Sequence, residues 1–219
     1  YSATLIVGGR ITSTDCVAPA VFSGFNALIK AHDITVTEPL SGFWYSYSTT
    51  GGGEVVVQAT QDILVLRTFN PTPSNSPCFY LWNTNIDITA GGSVTFSGFQ
   101  RIPGAGGAFS AVSSNVSISA YSLSLVNNSA SIQGGAVSMT GGSNLTIRTQ
   151  SFILMDRNSA SSGAAISQAS SPTSNIQLSS PNITFSRNTA DSYSILEISS
   201  SNLAAFSTAS FIENTGSTS

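Results

Sequence analysis

Charge is what this 219-residue chain has least of: Asp, Glu, Lys and Arg make up 8% of it, against about 25% in an ordinary soluble domain. The Lys and Arg residues stand far apart, at 10, 30, 67, 101, 148, 157 and 187. They form no basic stripe along the chain, so no nucleic-acid partner is expected. A net charge of -3 is too small to steer a charged partner over distance. Cysteine is nearly absent. Cys16 and Cys78, 62 residues apart, fit no metal spacing. In a secreted protein they could close a disulfide, or both could be buried thiols. No apolar run approaches the roughly 20 residues a membrane span needs, so no transmembrane segment is expected here. Nor does a 3.6-residue period persist over ten residues; the best stretch, 28–33, is too short to predict a helix. The chain opens Tyr-Ser-Ala, with neither an initiator Met nor a signal peptide, and reads as a piece of something longer.

The residues that carry chemistry are equally sparse. The ten acidic residues are scattered, whereas a saccharide hydrolase or lyase needs clustered carboxylates or bound Ca²⁺. Asp156 and Asp191 fall at different points of the repeat described below. A fold could still bring Asp33, Glu54 and Asp62 together. His32 is the only histidine; adjacent residues of a strand point to opposite faces, so it is expected to pair poorly with Asp33 and to be exposed or capped. There is no Gly-x-Ser-x-Gly elbow. The glycine-rich piece at 104–107 lacks the Lys and following helix of a phosphate loop. No catalytic residue, metal site or cofactor is expected.

What the chain does have is short β-prone runs, such as 55–57, 63–66 and 152–155, set in Ser, Thr, Asn, Gln and Gly. Apolar residues are 41% of the total. That composition suits a sheet-rich extracellular protein and argues against disorder. Ser occurs 10 times in residues 1–109 and 31 times in residues 110–219, which places a soft boundary near 90–110.

The second half repeats. The segments LVNNSA (125–130), MDRNSA (155–160), FSRNTA (185–190) and FIENTG (211–216) share one form. A large apolar residue (Leu125, Met155, Phe185, Phe211) is followed by two free positions and an Asn (Asn128, Asn158, Asn188, Asn214). The Asn intervals are 30, 30 and 26. A Ser-Asn element at 114–115, 143–144, 174–175 and 201–202 keeps step. So does a glycine corner, Gly134-Gly135-Ala136-Val137 and then Gly163-Ala164-Ala165-Ile166, which degenerates to Ser194-Ile195-Leu196. Each period offers three short alternating strands, near 136–139, 145–148 and 152–155 in one and 165–168, 176–178 and 183–186 in the next. Three strands per period describe one rung of a parallel β-helix, and rungs must stack to bury their inner faces. The Asn is expected at the corner because it tolerates φ > 0 and can bond its own backbone. The glycines would permit close approach between rungs.

The predicted fold is therefore all-β, a parallel β-helix over 91–219 behind a less regular N-terminal cap over 1–90. The return of Phe22-Ser23-Gly24-Phe25 as Phe96-Ser97-Gly98-Phe99 suggests that the coil extends upstream. Two stretches look like insertions: the aromatic run of Phe43, Trp44, Tyr45, Ser46 and Tyr47, and the Pro-rich loop 70–77. As exposed aromatic anchors, Phe43, Trp44, Tyr45 and Tyr47 are the candidate partner contacts. Their competing role is cap core.

The Phe-x-x-Asn and Gly-Gly-Ala-(Ile/Leu/Val) alternation resembles the repeat of the chlamydial polymorphic outer membrane proteins, over roughly 92–219. Phe185–Asn188, Phe211–Asn214 and Gly134–Val137 match it. Leu125 and Met155 replace Phe, and Ala164 replaces the second Gly. The resemblance implies a right-handed coil, display as an autotransporter passenger, and attachment to host cells. Similar repeats occur in extracellular proteins of single-celled eukaryotes. The expected role is a non-enzymatic surface adhesin whose partner is a protein or glycan on another cell. The alternative is a filament subunit that assembles with copies of itself, and a polysaccharide-active enzyme ranks third.

Overall fold

The computed structural model describes residues 2–14, 20–23, 26–37, 44–47, 53–67, 77–168, 174–192, 195–198, 204–206 and 208–216. Every regular element among them is a β-strand, and every strand pair is parallel. The chain winds as a right-handed β-solenoid. Each described turn but the last contributes one strand to each of three faces, and from Gln100–Arg101 onward a two-residue strand stacks at the corner after the second face.

The first face stacks Ser2–Ile6, Asn26–Ala31, Gly53–Ala59 and Thr84–Ala90, then 115–120, 144–149, Asn175–Ser180 and Ala204–Phe206. The second stacks Arg10–Thr14, Asp33–Thr37, Ile63–Leu66 and Ser93–Ser97, then 122–126, 152–156, Asn182–Ser186 and Ala209–Ile212. The third stacks Ala20–Ser23, Trp44–Tyr47, Phe79–Trp82, Phe109–Val112, Val137–Thr140, Ile166–Gln168 and Leu196–Ile198. Asn115–Val126 and Asn144–Asp156 are continuous strands that bend from the first face to the second. Residues 1–90, expected as a cap, thus contribute strands to the same ladders, and those ladders cross residue 90 without a break. The stretch 28–33, the best helical candidate, lies largely in the strand Asn26–Ala31.

Alternation decides what goes inside. The strand Gly53–Ala59 buries every second residue, as a pleat with one face in the core requires. Because rungs stack in register, inner residues form columns along the coil. One is Val55, Ile86, Val116, Leu145 and Ile176. Another runs Val36, Val65, Phe96, Leu125, Met155, Phe185 and Phe211, so the apolar residue of the repeat does stack on itself. Leu125, Met155 and Phe185 are fully buried, whereas Phe211 stacks on Phe185 at 5.0 Å but stays 59% exposed. Phe79 and Phe109 stack at 4.9 Å, and Phe96 meets both edge-on. Burying each such side chain stabilises the coil by about 1.5–3 kcal/mol.

The repeated Asn does something other than expected. The left-handed residue is the one before it: Asn127, Arg157, Arg187 and Glu213 all have φ between 51° and 54°. That twist turns the Asn side chain inward, where Asn128, Asn158 and Asn188 are fully buried. There they bond to neighbouring rungs instead of their own backbone. Asn158 Oδ1 accepts from the backbone N–H and the Nδ2 of Asn128, both at 3.1 Å. Asn158 Nδ2 donates to Leu125 O at 2.9 Å and to Asn188 Oδ1 at 3.0 Å. All four bonding positions of the carboxamide are filled. Asn188 repeats the pattern with Met155 O and Asn214 Oδ1. The column begins where Phe99 N–H donates to Asn128 Oδ1 at 3.2 Å.

A second amide column runs outside. Asn115 donates to Asn85, Asn144 to Asn115, and Asn175 N–H to Asn144, at 2.7–3.0 Å. The hydroxyl residue before each of these Asn residues (Thr84, Ser114, Ser143, Ser174) is buried, and Thr84 N–H donates to Ser114 Oγ and Ser114 N–H to Ser143 Oγ. The glycine corner has its own reason. A Cβ on Gly135 would lie 2.3 Å from Ala164 O and 2.6 Å from Ser159 O of the next rung. Cys78 fits the column that holds Ala108, Ala136 and Ala165 elsewhere: Cys78 N–H and Phe79 N–H bond to Gly107 O and Ala108 O, and its thiol side is fully buried. Cys16 lies outside the described residues.

Truncating Asn158 leaves the buried Asn128 N–H without its acceptor and removes the bonds to Leu125 O and Asn188 Oδ1, an unmet buried group costing about 1–3 kcal/mol. Asn158→Ala is expected to lower stability by about 2–4 kcal/mol, and Asn175→Ala, on the exposed ladder, by under about 1 kcal/mol. Urea unfolding of the two variants side by side checks this; equal losses would remove the distinction between the inner and outer ladders.

Candidate functional site

The twist that buries the Asn places the preceding residue on the outer edge of the corner. Backbone bonds from Arg67 N to Ser97 O, Gly98 N to Val126 O, Asn127 N to Asp156 O, Arg157 N to Ser186 O and Arg187 N to Ile212 O fix the register. Arg67, Gly98, Asn127, Arg157, Arg187 and Glu213 therefore form one column. Residues 67, 157 and 187 are separated by 90 and 30, three periods and one. Scattered in sequence, three of the protein's cations share one edge, which corrects the expectation that they are dispersed.

The column has a gap. Between Arg67 and Arg157 stand only Gly98 and Asn127, and there a groove of about 350 Å³ opens, lined also by Ser97, Gln100, Ser129 and Ser159. Among the described residues no carboxylate lines it. Rungs repeat every ~4.8 Å, so the two arginines sit about 14 Å apart at the backbone. Gly98 is required: its φ is +83°, and a Cβ would lie 1.9 Å from Arg67 O. Arg67 is 8% exposed, and the Arg157 side chain is 51% exposed. Arg187 is engaged elsewhere. Its Nε and Nη2 donate to the two oxygens of Asp156 at 2.9 and 2.8 Å, a bidentate pair to which Ser186 Oγ adds a third bond at 2.7 Å. Arg157 Nε stands 3.7 Å from the same carboxylate. Three arginines stand on this edge with two acidic residues, the buried Asp156 and Glu213 one rung beyond Arg187, in a protein of net charge -3.

The remaining cations lie apart from it. Arg10 pairs with Asp33 at 3.3 Å. Arg101 lies over the Tyr80 ring at 4.9 Å and donates to Ser110 Oγ. Arg148 donates to Gln177, and Lys30 is exposed.

The possible acidic cluster comes together only in part. His32 sits in the bend between strands, not in a strand, so the opposite-face argument fails. Its Nδ1 lies 3.2 Å from Asp33 Oδ2. Asp33 Oδ1 accepts from Asp62 N–H, and Asp62 Oδ1 from Ser93 N–H at 2.7 Å. These carboxylates cap backbone groups of successive rungs at a corner. Glu54 lies toward the other end of its strand, beside Asn26. Among the described residues no three His, Cys, Asp or Glu residues converge on a metal-sized site.

Of the candidate contact residues, Trp44, Tyr45 and Tyr47 belong to a strand of the third face, paired with Phe79, Tyr80 and Trp82, and not to a loop insertion. Phe43 and residues 70–76 of the Pro-rich loop lie outside the described residues. Among the described residues no helix is long and apolar enough to cross a membrane.

The hydrogen bond from His32, reinforced by the Asp62 N–H and by Arg10, holds the Asp33 carboxyl below the usual aspartate range. A depressed folded-state pKa gives stability that is present above the ordinary aspartate value and lost as pH falls through the lowered one. Carboxyl NMR titration should show Asp33 titrating low and His32→Ala raising it; an unchanged midpoint in the variant would deny the imidazole that role.

No protein-family model, curated protein or solved structure matches the chain. What holds is a repeat β-solenoid, with nothing that ties it to the polymorphic outer membrane proteins in particular.

Proposed function

We propose that this protein is a non-enzymatic attachment module displayed outside the cell, with its coil as a stiff scaffold for surface contacts. One observation carries the reading. Three of the acidic residues are engaged in the fold: Asp33 and Asp62 cap backbone N–H groups, and Asp156 is buried against Arg187. The groove on the arginine edge, by contrast, offers arginine, carboxamides and hydroxyls, with no carboxylate among the described residues that line it to act as acid or base. Such a lining suits binding without turnover. The low-charge surface of Ser, Thr and Asn fits life outside the cell, and the resemblance to surface-displayed repeats points the same way. The stacked strands bring the aromatic run 44–47 into a sheet, so the favoured contact moves from those residues to the corner groove.

The test is attachment of the fluorescently labelled protein to cells and to immobilised extracellular polysaccharide, alongside assays for release of reducing or unsaturated sugar ends. Saturable attachment with no new sugar ends is the expected result. Catalytic release of sugar ends would refute the reading, and so would ordered filaments formed by a protein that attaches to neither surface.

A further inference from the structure

Resting on that attachment reading, we propose that the corner groove between Arg67 and Arg157 is a binding site for an acidic saccharide. The site has three parts, each with a physical reason to be there. The floor is backbone at Gly98, where no side chain can stand. One end holds the half-exposed Arg157 guanidinium, the kind of donor best matched to carboxylate or sulfate oxygens, and the other end is lined by the largely buried Arg67. The sides are Ser97, Ser129 and Ser159 hydroxyls and the carboxamides of Gln100 and Asn127, which can both donate to and accept from sugar hydroxyls.

The shape also selects. The groove runs along the coil axis, with Arg187 one rung beyond Arg157. An anion carried on an extended chain in the groove meets the exposed Arg157 guanidinium. Among the described residues Asp156 is the carboxylate beside Arg157, and its two oxygens accept from Arg187, with Glu213 a rung beyond. Asp156 therefore fixes Arg187, while Arg157, its Nε 3.7 Å from the same carboxylate, is half-exposed and lines the groove. A single-stranded nucleic acid is also a polyanion, but binding one needs aromatic faces for its bases. Among the described residues no aromatic side chain lines this groove. The hydroxyl and carboxamide walls favour the saccharide.

The experiment measures binding of four probes to the whole protein by calorimetry: a sulfated glycosaminoglycan oligosaccharide, an oligogalacturonate, a neutral glucan oligomer and oligothymidylate. The variant is Arg157→Asn, because Asn accepts the left-handed conformation found at position 157. Lys30→Gln, the same charge change on another part of the coil, is the control. At least one acidic saccharide should bind, more weakly as salt rises. Arg157→Asn should weaken it about tenfold or more, and Lys30→Gln should leave it within about twofold. Which acidic probe binds tells whether carboxylate or sulfate is the recognised anion.

Equal affinity for the neutral oligomer, tighter binding of oligothymidylate than of either acidic probe, or equal losses in both variants would each overturn the proposal. Cell attachment measured in parallel separates the two readings. Attachment that neither responds to Arg157→Asn nor is competed by acidic saccharide would sink the groove assignment alone. Saccharide binding without cell attachment would sink the attachment reading alone.

Discussion

Asn158 receives two hydrogen bonds from the rung before it and gives one to the rung after it, and a fourth closes on a strand carbonyl. A buried amide left partly unbonded would cost about 1–3 kcal/mol. Its bonds can be completed only if the next rung places another amide directly over it. The column therefore demands its own repetition, whatever the length of chain between corners: Asn214 joins it after 26 residues, where Asn158 and Asn188 each follow after 30. Strand pairing alone tolerates slippage, since any parallel strand can pair with any other. The amide column removes that freedom. It specifies which residue lies over which, and the apolar columns of Val, Ile, Leu, Met and Phe follow in register.

The same stacking explains the scarcity of charge. Equivalent residues on successive rungs lie ~4.8 Å apart, a distance at which like charges repel. A charged residue at a repeating outer position would form a self-repelling column. Asn, Ser and Thr avoid this, because each donates and accepts and can bond to its own kind. The outer Asn column at 85, 115, 144 and 175 shows it. Where acidic residues do stack, at Asp33 and Asp62, backbone N–H groups and the Arg10 and His32 side chains surround them.

This is also why the fold was largely legible and the site was not. Strand positions followed from alternation within each period, and the column of Leu125, Met155, Phe185 and Phe211 from the spacing of the repeat. The role of the Asn was misread because sequence marks a corner without saying which of two adjacent residues takes the left-handed twist. Arg at 157 and 187 is an improbable occupant of that conformation, so propensity favoured the Asn. The pairing of His32 with Asp33 was missed because the bend between two strands left no Gly or Pro signal. The arginine edge was missed for a different reason. Lys and Arg were judged by their closeness along the chain, whereas in a coil the relevant distance is the remainder after division by the period. The separations of 90 and 30 among residues 67, 157 and 187 carried the signal.

That arithmetic shows why the groove sits where it does. Arg157 and Arg187 occupy adjacent rungs, an arrangement that Asp156 makes tolerable by taking both donor groups of Arg187. A third Arg on the next rung toward the N-terminus would have no such partner, and position 127 holds Asn instead. One rung further, close approach to Arg67 O excludes any side chain, and position 98 is Gly. The break in the column is thus imposed from both sides, by repulsion at one rung and by backbone contact at the other. A surface otherwise built from neutral stacked residues acquires at this break a concave, cationic place, and the repeat rule that keeps charge off the coil is what confines it to one corner.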